Sequence, residues 1–367
     1  MKFKNIVIGA GISGITIAQK LSEKGEQVLI IEKRDHIGGN SYDYFDSDGC
    51  YVQKYGPHIF HTSNKKVWDY VSRFTKWHNY QHKVLGFIDG NLMPIPFNFD
   101  SIDIAFPEKI ASEMKDILVK KYGYGARVSV FDLINSTERQ LKLLGDYVYQ
   151  KVFLNYTIKQ WDQKPDEIDK SVLNRVPVII GKDPRYFSDS YQGIPEKGFT
   201  EIFRKMLDST KIKILLNTDY KEVISYIEYE SMFYTGPLDY FFDYKFGNIK
   251  YRAIDFEFEK VKSPYQNASV VNYPNDYEFT RITEFGKFLE NENAKTVILR
   301  EYPSWDRGTK AYPVKNSENQ KLINLYLKET KTLKNTYFLG RLAECKYYNM
   351  DQAFANAIEV GKKTLLS

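Results

Sequence analysis

Residues 5–40 read NIVIGAGISGITIAQKLSEKGEQVLIIEKRDHIGGN. An apolar strand, Ile6–Ile8, runs into Gly9-Ala10-Gly11-Ile12-Ser13-Gly14. A helical pattern (Ile15, Ala18, Leu21) comes next, then a second apolar strand, Val28–Ile31, ending in Glu32. Each glycine meets a steric demand. Gly9 allows the tight strand-to-helix turn, Gly11 lets a diphosphate approach the backbone, and Gly14 lets the helix lie close on the sheet. The helix N-terminus offers N–H groups and a partial positive charge to that diphosphate. Glu32 stands 18 residues beyond Gly14, at a strand end, where a carboxylate accepts hydrogen bonds from ribose hydroxyls. The stretch predicts an α/β, Rossmann-like dinucleotide-binding fold.

The residues after Glu32 narrow the cofactor. Lys33-Arg34-Asp35-His36-Ile37-Gly38-Gly39-Asn40 resembles the second glycine motif of FAD-binding oxidases and their relatives. Gly38 and Gly39 again bring bare backbone against the dinucleotide, and NAD enzymes do not usually place such a pair after the acid. The expectation is FAD, touched by Gly9, Gly11, Ser13, Gly14, Glu32, Lys33, Gly38, Gly39 and Asn40.

At 367 residues the chain is long enough for two or three subdomains. Its net charge of +5 is spread among interspersed acids and bases, with no basic block, so nothing suggests a nucleic-acid partner. Cys50 and Cys345 lie far apart and form no ligand pattern, which predicts neither a disulfide nor a metal and fits a reducing compartment. The chain enters its first strand at once and holds no apolar run of about 18 residues. A cytoplasmic protein without signal peptide or membrane span is expected.

The patterns predict a discontinuous FAD-binding domain over 1–80, 197–248 and 315–367. A mainly helical domain with a mobile lid is expected over 81–175, and a β-sheet substrate domain over 176–196 and 249–314. Asp89-Gly90 reads as a hairpin turn. Short motifs then recur in order: KYGPHIFHT, PIPFN, YTIKQW, NRVPV, YFSDSYQGIP, YTGPLDYFFDYKFG, YRAIDFE, the EYP segment and FLGRLAECKYYNMDQA. With IEKRDHIGGN they resemble the UDP-galactopyranose mutase family over nearly the whole chain.

The resemblance implies roles for particular residues. Arg175 and Arg252 match the two arginines that clamp the substrate diphosphate; both stand in apolar runs where an unpaired charge is costly. A guanidinium pair holds a diphosphate through charge-assisted bonds and stabilises charge on a departing one. His58 is placed near the flavin ring, tuning its reduced state; a histidine in an apolar stretch is otherwise more often a core residue, and His61 has that reading open. Phe153, Tyr156, Trp161, Tyr186, Tyr191, Asn272, Tyr312 and Tyr347 are placed around the nucleotide sugar. Phenol hydroxyls donate to phosphate and rings stack on a base or sugar. Trp161 belongs to the lid. Gly340, Arg341, Tyr348, Asn349 and Met350 are placed on the cofactor, and Asp351 either caps the last helix or touches flavin-bound groups. Two departures stand out: Asp162 where members often have glycine, and Pro184 before Tyr186.

The family's reaction is a ring contraction without net redox change. It implies FAD reduced by an external electron donor, attack of flavin N5 on the anomeric carbon, and a flavin–sugar iminium that recloses through a different hydroxyl. The protein supplies position and charge. The substrate implied is UDP-galactopyranose, with UDP-N-acetylgalactosamine or dTDP-Fuc3NAc as alternatives, and a homodimer in cell-surface polysaccharide synthesis. A flavin amine oxidase is the rival reading; it has no use for an arginine clamp.

Overall fold

The computed structural model describes residues 2–162, 176–290, 293–305, 308–314 and 316–364. It divides into two units: Met1–Tyr80 with Asp189–Tyr251 and Lys310–Ser367, and Gln81–Ser188 with Arg252–Thr309. Arg175 and the remainder of the expected lid beyond Asp162 lie outside the described residues.

In the first unit, five parallel strands take the order Ile212–Leu215, Val28–Ile31, Lys2–Ile8, Glu228–Tyr234, Thr336–Phe338. Parallel strands covered on both faces are apolar on both faces, and Val28–Ile31 is buried at every position. Alternation sorts the side chains. Val7, Val28 and Ile30 enter one core with Phe203, Phe233 and Phe354, while Ile6, Ile8, Leu29 and Ile31 enter the other with Tyr234. The order runs outward in both directions from Lys2–Ile8, so the sheet has its topological switch point there, at the strand that feeds the glycine turn. Helix Ile12–Ser22 packs against helix Met350–Thr364. Gly361 makes the approach possible: a Cβ on it would stand 3.1 Å from the Ile17 side chain.

The second unit carries a sheet in the order Tyr251–Lys262, Lys295–Ser304, Arg281–Glu284, Val270–Asn272, Val84–Ile88, Asn91–Ile95. Val270–Asn272 runs parallel to Val84–Ile88; the other pairs are antiparallel. The hairpin turns at Asp89 and Gly90, both at positive φ (48° and 78°), as a two-residue turn that matches strand twist requires. Helices Phe99–Ala105, Glu108–Tyr122, Arg139–Val148 and Asn155–Trp161 complete it.

The structure redraws the expected domains. The hairpin 84–95 is not part of a separate helical domain: its strand Val84–Ile88 is hydrogen-bonded to Val270–Asn272, so helical and β segments form one unit. Residues 189–196 leave that unit because Tyr191–Pro195 pairs with Phe60–Thr62 and Trp77–His78. No helix among the described residues is long and apolar enough to cross a membrane.

Candidate active site

The dinucleotide cradle of the first unit is built from bare backbone. Gly9 has φ +100°, and a Cβ there would stand 2.3 Å from Thr235 Oγ1. A Cβ on Gly14 would lie 2.0 Å from the Gly9 carbonyl, which is the close helix–strand contact expected of the motif's third glycine. The two glycine motifs meet: Gly38 donates its N–H to the Ala10 carbonyl at 2.7 Å, and a Cβ on Gly39 would reach within 2.8 Å of Gly11 Cα. Helix Ile12–Ser22 starts after Gly11 with no side-chain cap, so its first turn presents backbone N–H groups to an anion. Ser13 sits in that turn, 2.9 Å from where a Cβ on Gly340 would fall.

Glu32 is buried, its Oε2 accepting from Ala10 N–H at 2.6 Å and its Oε1 from Arg34 N–H at 2.8 Å. Both bonds fix the carboxylate at the strand end, and each oxygen retains acceptor capacity for a ribose hydroxyl. The Lys33 ammonium pairs with Asp219 at 3.0 Å and lies over Tyr240, on an exposed side chain. Its neighbour Arg34 takes the inward place, donating to Asn40 Oδ1 at 2.9 Å and stacking over Tyr55 at 4.5 Å. Arg34 Nη1 is buried without a partner among the described residues. An uncapped helix start, glycine walls and an orphaned guanidinium nitrogen fit a dinucleotide diphosphate.

His58 donates its N–H to Gln53 Oε1 at 2.6 Å, and its carbonyl accepts from Gln53 Nε2 at 2.9 Å. His58 Nδ1 faces the Gly56 carbonyl at 2.8 Å, an acceptor that requires a proton on Nδ1. Gln53 Nε2 also reaches Tyr51 Oη, and that hydroxyl donates to buried Asp43 at 2.6 Å. Asp43 accepts from Phe199 and Thr200 N–H, capping helix Phe199–Met206 from far away in the chain. Burial pushes the Asp43 carboxyl above its usual range despite those donors. His61 pairs with Asp189 at 2.8 Å, whose other oxygen accepts from Ser63.

Near the last helix, Arg341 lies over the Tyr347 ring at 5.1 Å and donates to the Tyr348 carbonyl at 2.5 Å. Tyr312 meets Tyr347 with ring centres 5.6 Å apart. Tyr348 Oη and Gly340 N–H both donate to Glu344. The Asn349 carbonyl accepts the Ala353 N–H as the helix opens at Met350, and Asp351 accepts from Thr62 at 2.8 Å. Tyr191 stacks on Trp68, which stacks on Trp77.

In the second unit, a π-helical stretch, Tyr149–Leu154, leads into helix Asn155–Trp161. Phe153 and Trp161 are buried and Tyr156 half-buried along it. The loop after Asn272 is tied to this helix: Asn155 bonds Asn275, Asn275 returns to the Lys151 carbonyl, and Lys159 Nζ donates to the Tyr273 and Tyr277 carbonyls. Burial lowers the Lys159 ammonium below its ordinary value. The helix that carries Tyr156 and Trp161 and the loop that follows Asn272 are therefore hydrogen-bonded to each other. Tyr186 donates its N–H to the His82 carbonyl, edge-on to the rings of His82 and Phe187. After Pro184, Arg185 is held bidentately by Asp183.

Arg252 lies at the end of helix Asn155–Trp161. It is 3% exposed, and its Nε and Nη2 donate to the Gln160 and Lys159 carbonyls at 2.9 and 3.0 Å. Sequence reasoning passes over Arg281, directly opposite Asn272 in the sheet and held bidentately by buried Glu301 at 2.6 and 2.9 Å. The two stand opposite each other on paired strands, Arg281 in TRITE and Glu301 in EYP.

These features define a flavin-type dinucleotide-binding protein with a second, separate unit. Similarity to known proteins agrees. Residues 7–74 match the NAD(P)-binding Rossmann-like domain and residues 151–347 match UDP-galactopyranose mutase. The chain is 35% identical to the probable UDP-galactopyranose mutase of Klebsiella pneumoniae, over 100% of this chain and 96% of that one. It is also 35% identical to the dTDP-fucopyranose mutase of Escherichia coli, over 97% of each. A crystal structure of reduced UDP-galactopyranose mutase superimposes with a TM-score of 0.73 at 18% identity, covering 100% of this chain and 95% of that one, which supports the fold. The chain belongs to the UDP-galactopyranose mutase family. It is an isomerase of the pyranose–furanose mutase class, and its cofactor is FAD.

Proposed function

We propose that this protein interconverts UDP-galactopyranose and UDP-galactofuranose. The observation that carries the reading is full-length similarity to the Klebsiella pneumoniae enzyme, in a chain whose glycine cradle fits a dinucleotide. When bound and reduced by an external donor, FAD supplies an electron-rich nitrogen able to attack an anomeric carbon.

The chain's own residues bind, orient and exclude water. The helix start at Gly11, with Gly9, Ser13, Gly14, Gly38 and Gly39, holds the cofactor diphosphate, and Glu32 its ribose. Asn40, Gly340, Arg341, Tyr348, Asn349 and Met350 complete that contact. His58, with a proton on Nδ1, sits beside the flavin ring. Arg175 and Arg252 neutralise the substrate diphosphate, with Tyr312, Tyr347 and Tyr191 donating to its oxygens or stacking on the sugar. Phe153, Tyr156 and Tyr186 hold the base, Asn272 gives it a polar contact, and Trp161 shields it from water. We place the enzyme in the cytoplasm as a homodimer, serving cell-surface polysaccharide synthesis.

A second reading has its own support: the dTDP-fucopyranose mutase is as similar as the UDP enzyme. Parallel assays of the reduced holoenzyme on UDP-galactopyranose, UDP-N-acetylgalactosamine and dTDP-Fuc3NAc separate them. The first reading predicts the highest kcat/KM on UDP-galactopyranose. A higher value on a dTDP sugar replaces it with the second.

A further inference from the structure

Helix Asn155–Trp161 ends at Asp162, whose φ of +52° is a left-handed conformation that Asp tolerates better than most residues. The Asp162 carboxylate accepts a hydrogen bond from Trp305 Nε1 at 2.6 Å. The same indole lies against Arg252, with 4.5 Å between guanidinium carbon and ring centre. Arg252 in turn donates to the last-turn carbonyls of Lys159 and Gln160. Carbonyls at a helix end lack partners within the helix, and a cation there also meets the negative end of the helix dipole.

Three residues from three places in the sequence thus meet at one helix end: Arg252 from strand Tyr251–Lys262, Trp305 just past strand Lys295–Ser304, and Asp162 itself. The residue between the two bonded carbonyls and the bonded carboxylate is Trp161, 8% exposed. We propose that Asp162 and Trp305 form a latch that sets Trp161 for the nucleotide sugar, with Arg252 packed against the indole. Both are positioning residues, acting through the helix end without touching the substrate. The inference rests on the mutase reading and adds to it a function for Asp162, which stands where family members often have glycine.

A glycine at 162 adopts the same φ but cannot accept the indole hydrogen, and a phenylalanine at 305 keeps a ring over Arg252 but cannot donate. The test is a double-mutant cycle of D162G and W305F, with D162N as the conservative variant that retains an acceptor. Two readouts are taken: KM and kcat of the reduced holoenzyme on UDP-galactopyranose, and the affinity of oxidised holoprotein for UDP by titration calorimetry, with dTDP in parallel. Each single change is expected to raise KM and the nucleotide Kd about five-fold, with kcat changing less than about two-fold. The double variant should be no weaker than about five-fold, because both changes remove one bond. D162N should stay within about two-fold of the parent. Single variants indistinguishable from the parent, or effects that multiply to about 25-fold in the double, overturn the latch. A parent that binds nucleotide but turns over no sugar sinks the mutase reading while the affinities still decide the latch. A parent that binds neither nucleotide sinks both.

Discussion

Gln53 brackets the backbone of His58, its Oε1 taking the N–H at 2.6 Å and its Nε2 reaching the carbonyl at 2.9 Å. One amide thereby fixes the loop that carries the histidine. The same amide is joined through Tyr51 to Asp43, the cap of helix Phe199–Met206. A histidine that must present one chosen nitrogen needs its main chain held, because ring orientation depends on backbone position.

Gln53→Leu keeps the volume and removes both bonds. Two backbone groups of His58 lose their partners, at a cost of about 1–3 kcal/mol. The variant is expected to unfold at lower denaturant and to lose about ten-fold in kcat/KM. Tyr51→Phe removes only the bonds to Asp43 and Gln53, and should lose less of both. Equal activity of Gln53→Leu and parent would remove His58 positioning from the account.

Gly39→Ala tests the cradle. The new methyl group meets Gly11 Cα at 2.8 Å, from a residue at φ +57°. The two glycine loops must part, so the purified variant should carry less than about one-tenth of the parent's flavin by absorbance at about 450 nm. A fully yellow variant contradicts the cradle.

His36 gives a pH dependence. Its Nε2 meets Tyr55 Oη at 2.7 Å and its ring stacks on Tyr42. Burial holds its pKa below 6.5; the Ile37 carbonyl opposes this, and the Arg34 and Lys54 cations reinforce it. The unfolded chain therefore takes up a proton near pH 6.5 that the folded chain refuses. Stability contributed above that pH is lost as pH falls below it, until the lowered folded pKa is passed. Between pH 7.5 and 5.5 the thermal midpoint of the parent should drop a few degrees more than that of His36→Gln.

Glu23 acts in more acid solution. Burial raises its carboxyl, but hydrogen bonds from Lys20, Arg73 and Gln19 outweigh this and hold its pKa at about 2. Its contribution is present above about pH 4.5 and disappears as pH falls toward 2. Solvent screens this partly exposed group, so Glu23→Gln should cost about 1 kcal/mol at pH 7. The deficit should shrink steadily between about pH 4.5 and pH 2 in denaturant titrations.

The nucleotide-binding half is legible in the sequence because its signal is local. Strand, glycine turn, helix, strand and acid succeed each other within 36 residues, and each glycine answers a steric demand visible in the motif. The features that escape depend on distant pairing. Asp43 caps a helix that begins at Phe199, and Arg281 meets Glu301 across paired strands. Nothing in either neighbourhood marks the partner. Lys33 and Arg34 are adjacent and chemically alike, and only the turn geometry decides which faces Asn40 and which faces Asp219. Arg252 is recognisable as costly to bury, but the sequence does not disclose that helix carbonyls satisfy it.

If the interconversion transfers no net electrons, FAD reduced once would support many turnovers. The holoenzyme is reduced once, anaerobically, excess reductant is removed, and UDP-galactofuranose is added while sugar product and flavin spectrum are recorded together. Hundreds of UDP-galactopyranose molecules per flavin are expected, with the spectrum still reduced at the end and no conversion by the oxidised protein. One product or fewer per flavin accompanied by reoxidation, or equal turnover by the oxidised form, would contradict it.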